Sequence, residues 1–179
     1  MKNLTEKYRP KKFSEIIGQR VAIEKVKEFI ENFPSKKRAL VFYGPPGTGK
    51  TALAHVAALE SNAEIFELNA SDFRNKEKLK TILRPVLEQK SLVSDKKIIL
   101  VDEVDGISTY SDWGGVVELI NLIENSYYPI ILTANDIWKK QLSDLRKKTE
   151  LIQLGEIDYN TIKTLLIDIL KKENKFMNS

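Results

Sequence analysis

The stretch LVFYGPPGTGKTALAH, residues 40–55, places an apolar run directly before a glycine-rich turn and a segment rich in helix formers. Between Gly44 and Thr51 it fits the pattern G-x-x-x-x-G-K-[ST]. Glycines let backbone N–H groups turn toward an anion, and the N-terminus of a following helix adds partial positive charge. We therefore predict a strand, a phosphate-binding loop and a helix in this order, with a nucleotide as the ligand.

Two side chains at the end of this loop have separate predicted roles. Lys50 is expected to reach the β- and γ-phosphates, and the Thr51 hydroxyl is expected to hold Mg²⁺. The backbone of the loop is expected to surround the phosphates. The predicted nucleotide-binding residues here are Gly44, Pro45, Pro46, Gly47, Thr48, Gly49, Lys50, Thr51 and Ala52.

A second motif, IILVDEVDG at residues 98–106, ends an apolar run with acidic residues. Asp102 can coordinate Mg²⁺ through its water shell, and Glu103 can orient and deprotonate an attacking water molecule. Two acids at the end of a buried strand can also simply begin a turn. The phosphate-binding loop upstream favours the metal and catalytic roles.

A third motif, ILTAND at residues 131–136, ends another apolar run with Asn135. A polar side chain at this point can touch the γ-phosphate or the attacking water. Taken alone, Asn-Asp after a strand is an ordinary turn signal. In combination with the other two motifs, the pattern favours the nucleotide contact.

Apolar runs of strand length alternate with segments of helical spacing along the whole chain. The predicted strands are 39–43, 64–68, 97–102, 129–134 and 150–154, and the predicted helices include 20–32, 51–59, 73–89 and one around 116–123. Such alternation predicts an α/β fold with right-handed crossovers and a parallel sheet flanked by helices. After Gly155 a single amphipathic helix follows, so we predict one domain over 1–155 and the first helix of a further domain over 156–179.

The composition is that of an ordinary globular chain. Among 179 residues there are 29 Lys+Arg, 25 Asp+Glu and no cysteine, which gives a net charge of +4 and excludes disulfides and zinc–thiolate sites. The small basic excess favours a solvated surface over a nucleic-acid face when it is taken alone. The first ten residues lack an apolar core and no run of about 18 apolar residues occurs, so we expect a cytoplasmic protein.

The three motifs together resemble the AAA+ ATPase family. The resemblance implies a five-stranded parallel sheet in the order 5-1-4-3-2, ATP with Mg²⁺ as ligands, and catalytic roles for Lys50, Glu103 and Asn135, the last as sensor 1. Four further stretches resemble clamp loaders of the replication factor C type, and the archaeal large-subunit type more than the small. These stretches are TEKYRPKKFSEIIGQ (5–19), ELNASDFRNKEKLK (67–80), DEVDGISTYSDWGGVVELINLI (102–123) and PIILTANDIW (129–138).

This narrower resemblance implies further site residues and partners. The adenine pocket would be lined by Tyr8, Arg9, Pro10, Ile16, Ile17 and Gly18. DNA contacts would come from Arg74, Lys78, Lys80, Arg84, Gly114 and Gly115, although a solvated charged face is the alternative. Clamp contacts would come from Leu87, Leu92 and Val93, for which core or loop packing is at least as good an explanation.

The resemblance also implies a function. The chain would be an ATP-dependent subunit that helps to open a PCNA-type sliding clamp and place it on primer–template DNA. Its partners would be small subunits in a hetero-oligomer, typically a pentamer. The alternatives are another AAA+ replication or recombination ATPase and a nucleotide-binding scaffold with little hydrolysis; the intact Asp102–Glu103 pair argues against the scaffold.

Two departures from the family pattern carry expectations of their own. Small subunits have a Ser-Arg-Cys motif before the fifth strand, whereas this chain has Lys147-Lys148-Thr149, and Arg146 comes slightly too early. The chain is therefore expected to receive an arginine finger without donating one, and to be a poor ATPase alone. Family large subunits also continue through a complete lid and a collar, so the resemblance implies an AAA+ ATPase domain over 1–155 and the start of an incomplete helical lid over 156–179. A separate chain that carries the lid and collar is one of the expected partners.

The predicted DNA contacts lead to a test by salt dependence. Because phosphate contacts release counterions, replacing Arg74 with Ala in the assembled complex should weaken DNA binding and flatten the slope of log affinity against log salt by about one unit. The measurement is a DNA-binding titration at several salt concentrations. An unchanged slope would remove Arg74 from the DNA contacts.

Overall fold

Five parallel strands form a single sheet in the computed structural model, which describes residues 4–69, 96–107 and 113–173. The strands are β1 (Ala39–Tyr43), β2 (Glu64–Asn69), β3 (Lys97–Asp102), β4 (Ile130–Ala134) and β5 (Glu150–Gln153). Their order across the sheet is β2-β3-β4-β1-β5. The predicted order is therefore confirmed, since 5-1-4-3-2 is the same arrangement read from the other edge.

Six helices accompany the sheet in the described part of the chain. They are α1 (Leu4–Lys7), α2 (Arg20–Glu31), α3 (Lys50–Glu60), α4 (Trp113–Asn125), α5 (Ser143–Lys148) and α6 (Tyr159–Lys172), with short 3-10 turns at Phe13–Glu15, Val104–Gly106 and Lys140–Leu142. Each predicted helix that falls in the described residues is present with ends shifted by only a few residues. The predicted helix over 73–89 lies outside them.

The central strands are buried because their side chains are covered on both faces of the sheet. In β1, Leu40 and Phe42 pack with α2 and α3 on one face, and Ala39 and Val41 pack with α4 and α5 on the other. All four of these side chains have 0% exposure. Burial of each large apolar side chain contributes about 1.5–3 kcal/mol, so this three-layer packing explains the nearly continuous apolar runs in the sequence.

Some strands begin or end one residue away from the predicted position. Strand β4 begins at Ile130 and not at residue 129, because Pro129 has no N–H to donate to the sheet. Its carbonyl nevertheless accepts a hydrogen bond from the Ile99 N–H at 3.1 Å. Strand β2 extends one residue further than predicted, to Asn69, which pairs in register with Asp102.

Parallel pairing brings the carboxyl ends of the strands to one edge of the sheet. Strand β1 leads there into the glycine-rich loop, β3 ends at Asp102, and β4 is followed by Asn135. Strand β4 lies between β1 and β3, so its end lies between the other two. This edge is where open parallel sheets bind ligands.

The last described helix, α6, is largely exposed. None of its residues is buried, and the large apolar side chains on it that are exposed are Tyr159, Ile162, Leu165, Leu166 and Ile167. Its N-terminus is capped by the Asp158 side chain, which accepts a hydrogen bond from the Thr161 N–H. The division of the chain at residue 155 stays a prediction. No helix within the described ranges is long and apolar enough to cross a membrane.

The close approach of Leu154, which follows β5, to Gly44, which follows β1, gives a stability prediction. Gly44 has φ +147°, and a Cβ there would lie 2.3 Å from the carbonyl oxygen of Leu154. Replacing Gly44 with Ala should therefore lower the free energy of unfolding by about 3 kcal/mol, from backbone strain and steric overlap. Gly47, with φ +80° and nothing within 4 Å of its Cβ position, serves as the control, and its Ala variant should lose only about 1–2 kcal/mol. Urea unfolding measures both, and equal losses would contradict the steric argument.

Candidate functional site

The glycine-rich loop joins β1 to α3 at the carboxyl edge of the sheet. Gly44, Gly47 and Gly49 all have positive φ angles, and Gly49 is the N-cap of α3. This loop conformation is one that glycine adopts without strain. It leaves the first turn of α3 with backbone N–H groups that have no partner within the helix, which is the arrangement that binds phosphate.

Lys50 begins α3 and its side chain turns back beneath the loop. Its Nζ atom donates hydrogen bonds to the carbonyl oxygens of Gly44 at 2.8 Å and Pro45 at 2.9 Å, and to Asn135 Oδ1 at 2.9 Å. Burial lowers the pKa of the Lys50 ammonium, while the carboxylates of Asp105, Asp102 and Glu103 oppose this effect. A phosphate group would strengthen the charged form further, because an adjacent anion favours a buried cation.

The two predicted metal ligands lie next to each other. The Thr51 hydroxyl is 3.0 Å from Asp102 Oδ1 and 3.2 Å from Asp102 Oδ2, and it donates a hydrogen bond to this carboxylate. In the described residues no cluster of three or more His, Cys, Asp or Glu could hold a metal ion. A hydroxyl and one carboxylate suit Mg²⁺ bound together with substrate phosphates, since Mg²⁺ keeps several waters and takes few protein ligands.

Glu103 has an unusual backbone conformation. Its φ of 57° and ψ of 47° are left-handed, which is uncommon for a residue other than glycine. Its carbonyl accepts a hydrogen bond from the Gly106 N–H at 2.8 Å, and its side chain lies 3.5 Å from Asn69 Nδ2 at the end of β2. The Glu103 carboxylate is exposed at the cavity that contains Lys50 and Asp102.

Asn135 is held by a residue to which the sequence had given no role. The Asp105 carboxylate, only 9% exposed, accepts hydrogen bonds from the N–H groups of Asn135 at 3.1 Å and Asp136 at 3.2 Å. Lys139 Nζ donates to the Asp105 carbonyl at 2.8 Å. The only sequence signal for Asp105 was that it is the third acid in DEVD. Its partners, Asn135 and Asp136, follow a different strand, β4.

Thr133 is a second site residue to which no sequence motif assigned a role. Its buried side chain accepts a hydrogen bond from the Glu103 N–H at 3.0 Å and donates one to Asp102 Oδ1. Val101 pairs with Leu132 across β3 and β4, so the next residues along the two strands, Asp102 and Thr133, are neighbours. A hydroxyl within an otherwise apolar strand was the available signal.

Two cavities meet at Gly49 and Ala52. The smaller, about 330 Å³, is lined by Pro46, Gly47, Lys50, Thr51 and the polar ends of β3 and β4. The larger, about 510 Å³, is lined mainly by apolar groups. Predicted adenine-pocket residues in its lining are Tyr8, Arg9, Pro10, Ile16 and Ile17, together with Thr48 of the loop.

The remaining predicted pocket residues have different positions. Gly18 lines neither cavity, although its Cβ position would lie 3.9 Å from Ile157. Gly44 and Pro45 contribute their carbonyl oxygens to Lys50 without lining either cavity.

The outer wall of the larger cavity is made by the N-terminal segment and α6. Ile157, Leu165 and Ile169 line the cavity from the side of α6. The Tyr8 hydroxyl donates a hydrogen bond to Glu173 Oε1 at 2.6 Å, and Lys7 Nζ lies 2.5 Å from the same oxygen. Polar contacts therefore join the two segments on either side of the cavity.

Gln19 links three parts of this region through one buried amide. Its Nε2 donates to the carbonyl oxygens of Thr48 at 3.3 Å and Gly155 at 2.8 Å, and its Oε1 accepts from the Gly155 N–H at 3.2 Å. At 5% exposure the side chain has both its ends satisfied. It therefore fixes the phosphate loop relative to the segment that leads into α6.

The basic residues near the expected arginine-finger position are all engaged within the chain. Arg146 Nη1 donates to the carbonyls of Ile137 at 2.7 Å and Lys139 at 3.1 Å, and its guanidinium lies 5.2 Å from the Trp138 ring centre. Further along α5, Lys147 pairs with Asp144 and Lys148 pairs with Glu124.

Most predicted DNA and clamp contacts lie outside the described residues. This applies to Arg74, Lys78, Lys80, Arg84, Leu87, Leu92 and Val93. Gly114 and Gly115 fall in the first turn of α4, where Gly115 is buried. These assignments stay predictions.

The chain is similar in sequence to curated proteins over most of its length. Over 174 residues the chain is 45% identical to the replication factor C large subunit of Thermofilum pendens, covering 94% of this chain and 42% of that protein. Over 175 residues it is 39% identical to the replication factor C large subunit of Methanococcus vannielii, covering 97% of this chain and 36% of that protein. The chain thus spans about two fifths of the length of these curated relatives.

Two further comparisons concern the fold and the family. The structure is similar to that of the Thermotoga maritima RuvB Holliday junction branch migration motor, with a TM-score of 0.69, 22% identity, and coverage of 93% of this chain and 55% of that one. The model of the ATPase family associated with various cellular activities (AAA) matches residues 40–155. This match includes the phosphate loop, Asp102, Glu103 and Asn135, and the chain belongs to the AAA family of ATPases.

Proposed function

We propose that the chain binds ATP with Mg²⁺ and hydrolyses it as a subunit of a replication factor C-type clamp loader. The observation that carries this proposal is the convergence of Lys50, Thr51, Asp102, Glu103 and Asn135 on one polar cavity. An apolar cavity large enough for a purine adjoins it. A triphosphate on the polar side and a base on the apolar side account for both.

The proposed roles follow from the contacts of each side chain. Lys50 would exchange its carbonyl partners for the β- and γ-phosphates, while Thr51 and Asp102 would hold Mg²⁺, which neutralises phosphate charge. Glu103, at the exposed rim, would take the proton of the attacking water at its carboxylate. Asn135, whose Oδ1 already accepts from Lys50, would present its amide N–H₂ to the γ-phosphate or to that water.

The role in a clamp loader is supported by the curated relatives, which are named replication factor C large subunits. On this proposal the partners are small clamp-loader subunits, a PCNA-type sliding clamp and primer–template DNA. Residues 156–179 would begin a helical lid, because α6 carries an exposed apolar face. The likeness to the RuvB motor, at 22% identity, concerns the fold alone.

We further propose that this subunit receives an arginine finger and does not donate one. Each basic side chain of α5 already has a partner within the chain. A finger must extend freely into a neighbouring site, where it is worth roughly 10³–10⁵ in rate. Slow hydrolysis by the isolated chain is the consequence.

The proposed hydrolysis is tested with two site variants. Lys50→Ala removes a charged phosphate contact and should weaken MgATP binding about 10–100-fold. Glu103→Gln should keep ATP affinity within about threefold and lower turnover by about 10²–10⁴, because it removes the base without removing a phosphate contact. Calorimetry measures affinity, and phosphate release measures turnover in the complex of this chain with its genome's small clamp-loader subunit, clamp and primed DNA.

The same experiment separates the rival functions. A nucleotide-binding scaffold would bind ATP, yet turnover in the complex would be equal for wild type and Glu103→Gln. An ATPase of another replication or recombination system would hydrolyse ATP without stimulation by clamp and primed DNA. Absence of ATP binding by wild type in the complex would overturn the proposal as a whole.

The finger proposal gives a prediction for Arg146. Replacing Arg146 with Ala should lower the free energy of unfolding by about 1–3 kcal/mol, because two hydrogen bonds and a cation–π contact are lost. Turnover of the assembled complex should stay within about twofold of wild type. Lys147→Ala is the matched control, since its exposed ion pair contributes about 0–1 kcal/mol. A loss of turnover of about 10³-fold or more in either variant would identify that residue as a finger.

A further inference from the structure

Thr133 is a buried polar side chain in an otherwise apolar strand. It lies in β4, whose sequence is IILTA, and has 1% exposure. A hydroxyl without partners in such a place is unfavourable, because it loses its hydrogen bonds to water. Its neighbours therefore have to satisfy it, and they are Asp102, which ends β3, and Glu103, which follows it.

The Thr133 hydroxyl donates one hydrogen bond and accepts another, each with a different residue. Its single proton is donated to Asp102 Oδ1, and its oxygen accepts the Glu103 N–H at 3.0 Å. Because a hydroxyl has one proton to donate, these two bonds fix its orientation. One atom thus restrains both the predicted metal ligand and the predicted base.

For Glu103 the restraint acts on the backbone. The left-handed conformation, with φ of 57° and ψ of 47°, is disfavoured for a side-chain-bearing residue and persists only when its surroundings stabilise it. The bond from the Glu103 N–H to Thr133 is one such stabilisation, and the bond from Gly106 N–H to the Glu103 carbonyl is another. The direction of the Glu103 carboxylate depends on this backbone.

For Asp102 the restraint acts on the side chain. Thr51 donates toward both Asp102 oxygens, whereas Thr133 donates to Oδ1 alone. When Thr51 turns to Mg²⁺, the bond from Thr133 would still orient the carboxylate and leave Oδ2 available. Residues that orient a metal ligand in this way typically affect metal affinity or activity by about 10–100-fold.

We propose that Thr133 is a positioning residue for ATP hydrolysis, with its hydroxyl holding Asp102 and Glu103 in their working orientations. The inference rests on the proposed ATPase function. It concerns how the site is held, since the buried Thr133 hydroxyl bonds to Asp102 and to the Glu103 backbone.

Three substitutions test this role. Thr133→Val keeps the shape of the side chain and removes the hydroxyl, and Thr133→Ser keeps the hydroxyl. Thr149→Val is the matched control: Thr149 is also fully buried, its hydroxyl donates to the Leu145 carbonyl at 2.8 Å, and it lies at the opposite edge of the sheet, before β5. Each is measured for phosphate release in the complex with the small subunit, clamp and primed DNA, and for thermal unfolding.

We expect Thr133→Val to lower turnover by about 10–100-fold, with Thr133→Ser within about threefold of wild type and Thr149→Val unchanged. The inference would be overturned if Thr133→Val kept wild-type turnover, if Thr133→Ser were equally impaired, or if Thr149→Val lost as much. Should Thr133→Val fail to fold, Thr133→Ala carries the same expectation. If wild type itself does not hydrolyse ATP, the proposed function fails instead, so the two failures are distinguishable.

A binding measurement tests the contact with Asp102 without relying on turnover. In the Glu103→Gln background, ATP affinity is measured by calorimetry with Mg²⁺ and with EDTA. Thr133→Val should reduce the gain in affinity that Mg²⁺ provides by about 10-fold or more, and Thr149→Val should leave this gain unchanged. An equal gain in the Thr133→Val and control chains would remove Asp102 from the proposal.

Discussion

The insertion of β4 between β1 and β3 is the constraint on which the site depends. Phe42 of β1 pairs with Thr133, and Val101 of β3 pairs with Leu132. These pairs fix the register of β4 against both neighbouring strands. A shift of one residue would turn every buried side chain of β4 to the other face of the sheet. Because both faces are packed, the register is firmly specified, and with it the distance from the phosphate loop to Asp102.

Charge balance at the carboxyl edge follows from this register. One buried ammonium, that of Lys50, lies near three carboxylates. Asp102 accepts from hydroxyls, Asp105 accepts from backbone N–H groups, and Glu103 lies 3.5 Å from the Asn69 amide nitrogen. Asp105 is the most buried of the three and is bound to the turn after β4 rather than to Lys50. The cluster is therefore stabilised by protein groups, and on the proposed function an incoming phosphate would replace partners of Lys50.

The parts of this arrangement that could be predicted are those encoded by local pattern. Apolar runs located the strands, the glycine-rich motif identified Lys50, and the polar ends of two strands identified Asp102, Glu103 and Asn135. Thr133, Asp105 and Gln19 could not be found in this way, because their partners come from other strands or from segments more than a hundred residues away, as Gly155 does for Gln19. Sequence spacing carries no direct signal for such contacts.

Gly155 bonds to the Gln19 amide through both its backbone N–H and its backbone carbonyl, and the same amide bonds to Thr48 in the phosphate loop. Rotation of the chain at or before Gly155 would break these buried bonds together. The residues between Gly155 and the start of α6 at Tyr159 have no such bonds to the loop among those described. Any swing of α6 about the larger cavity would therefore pivot in this three-residue link, 156–158, and leave the phosphate loop undisturbed.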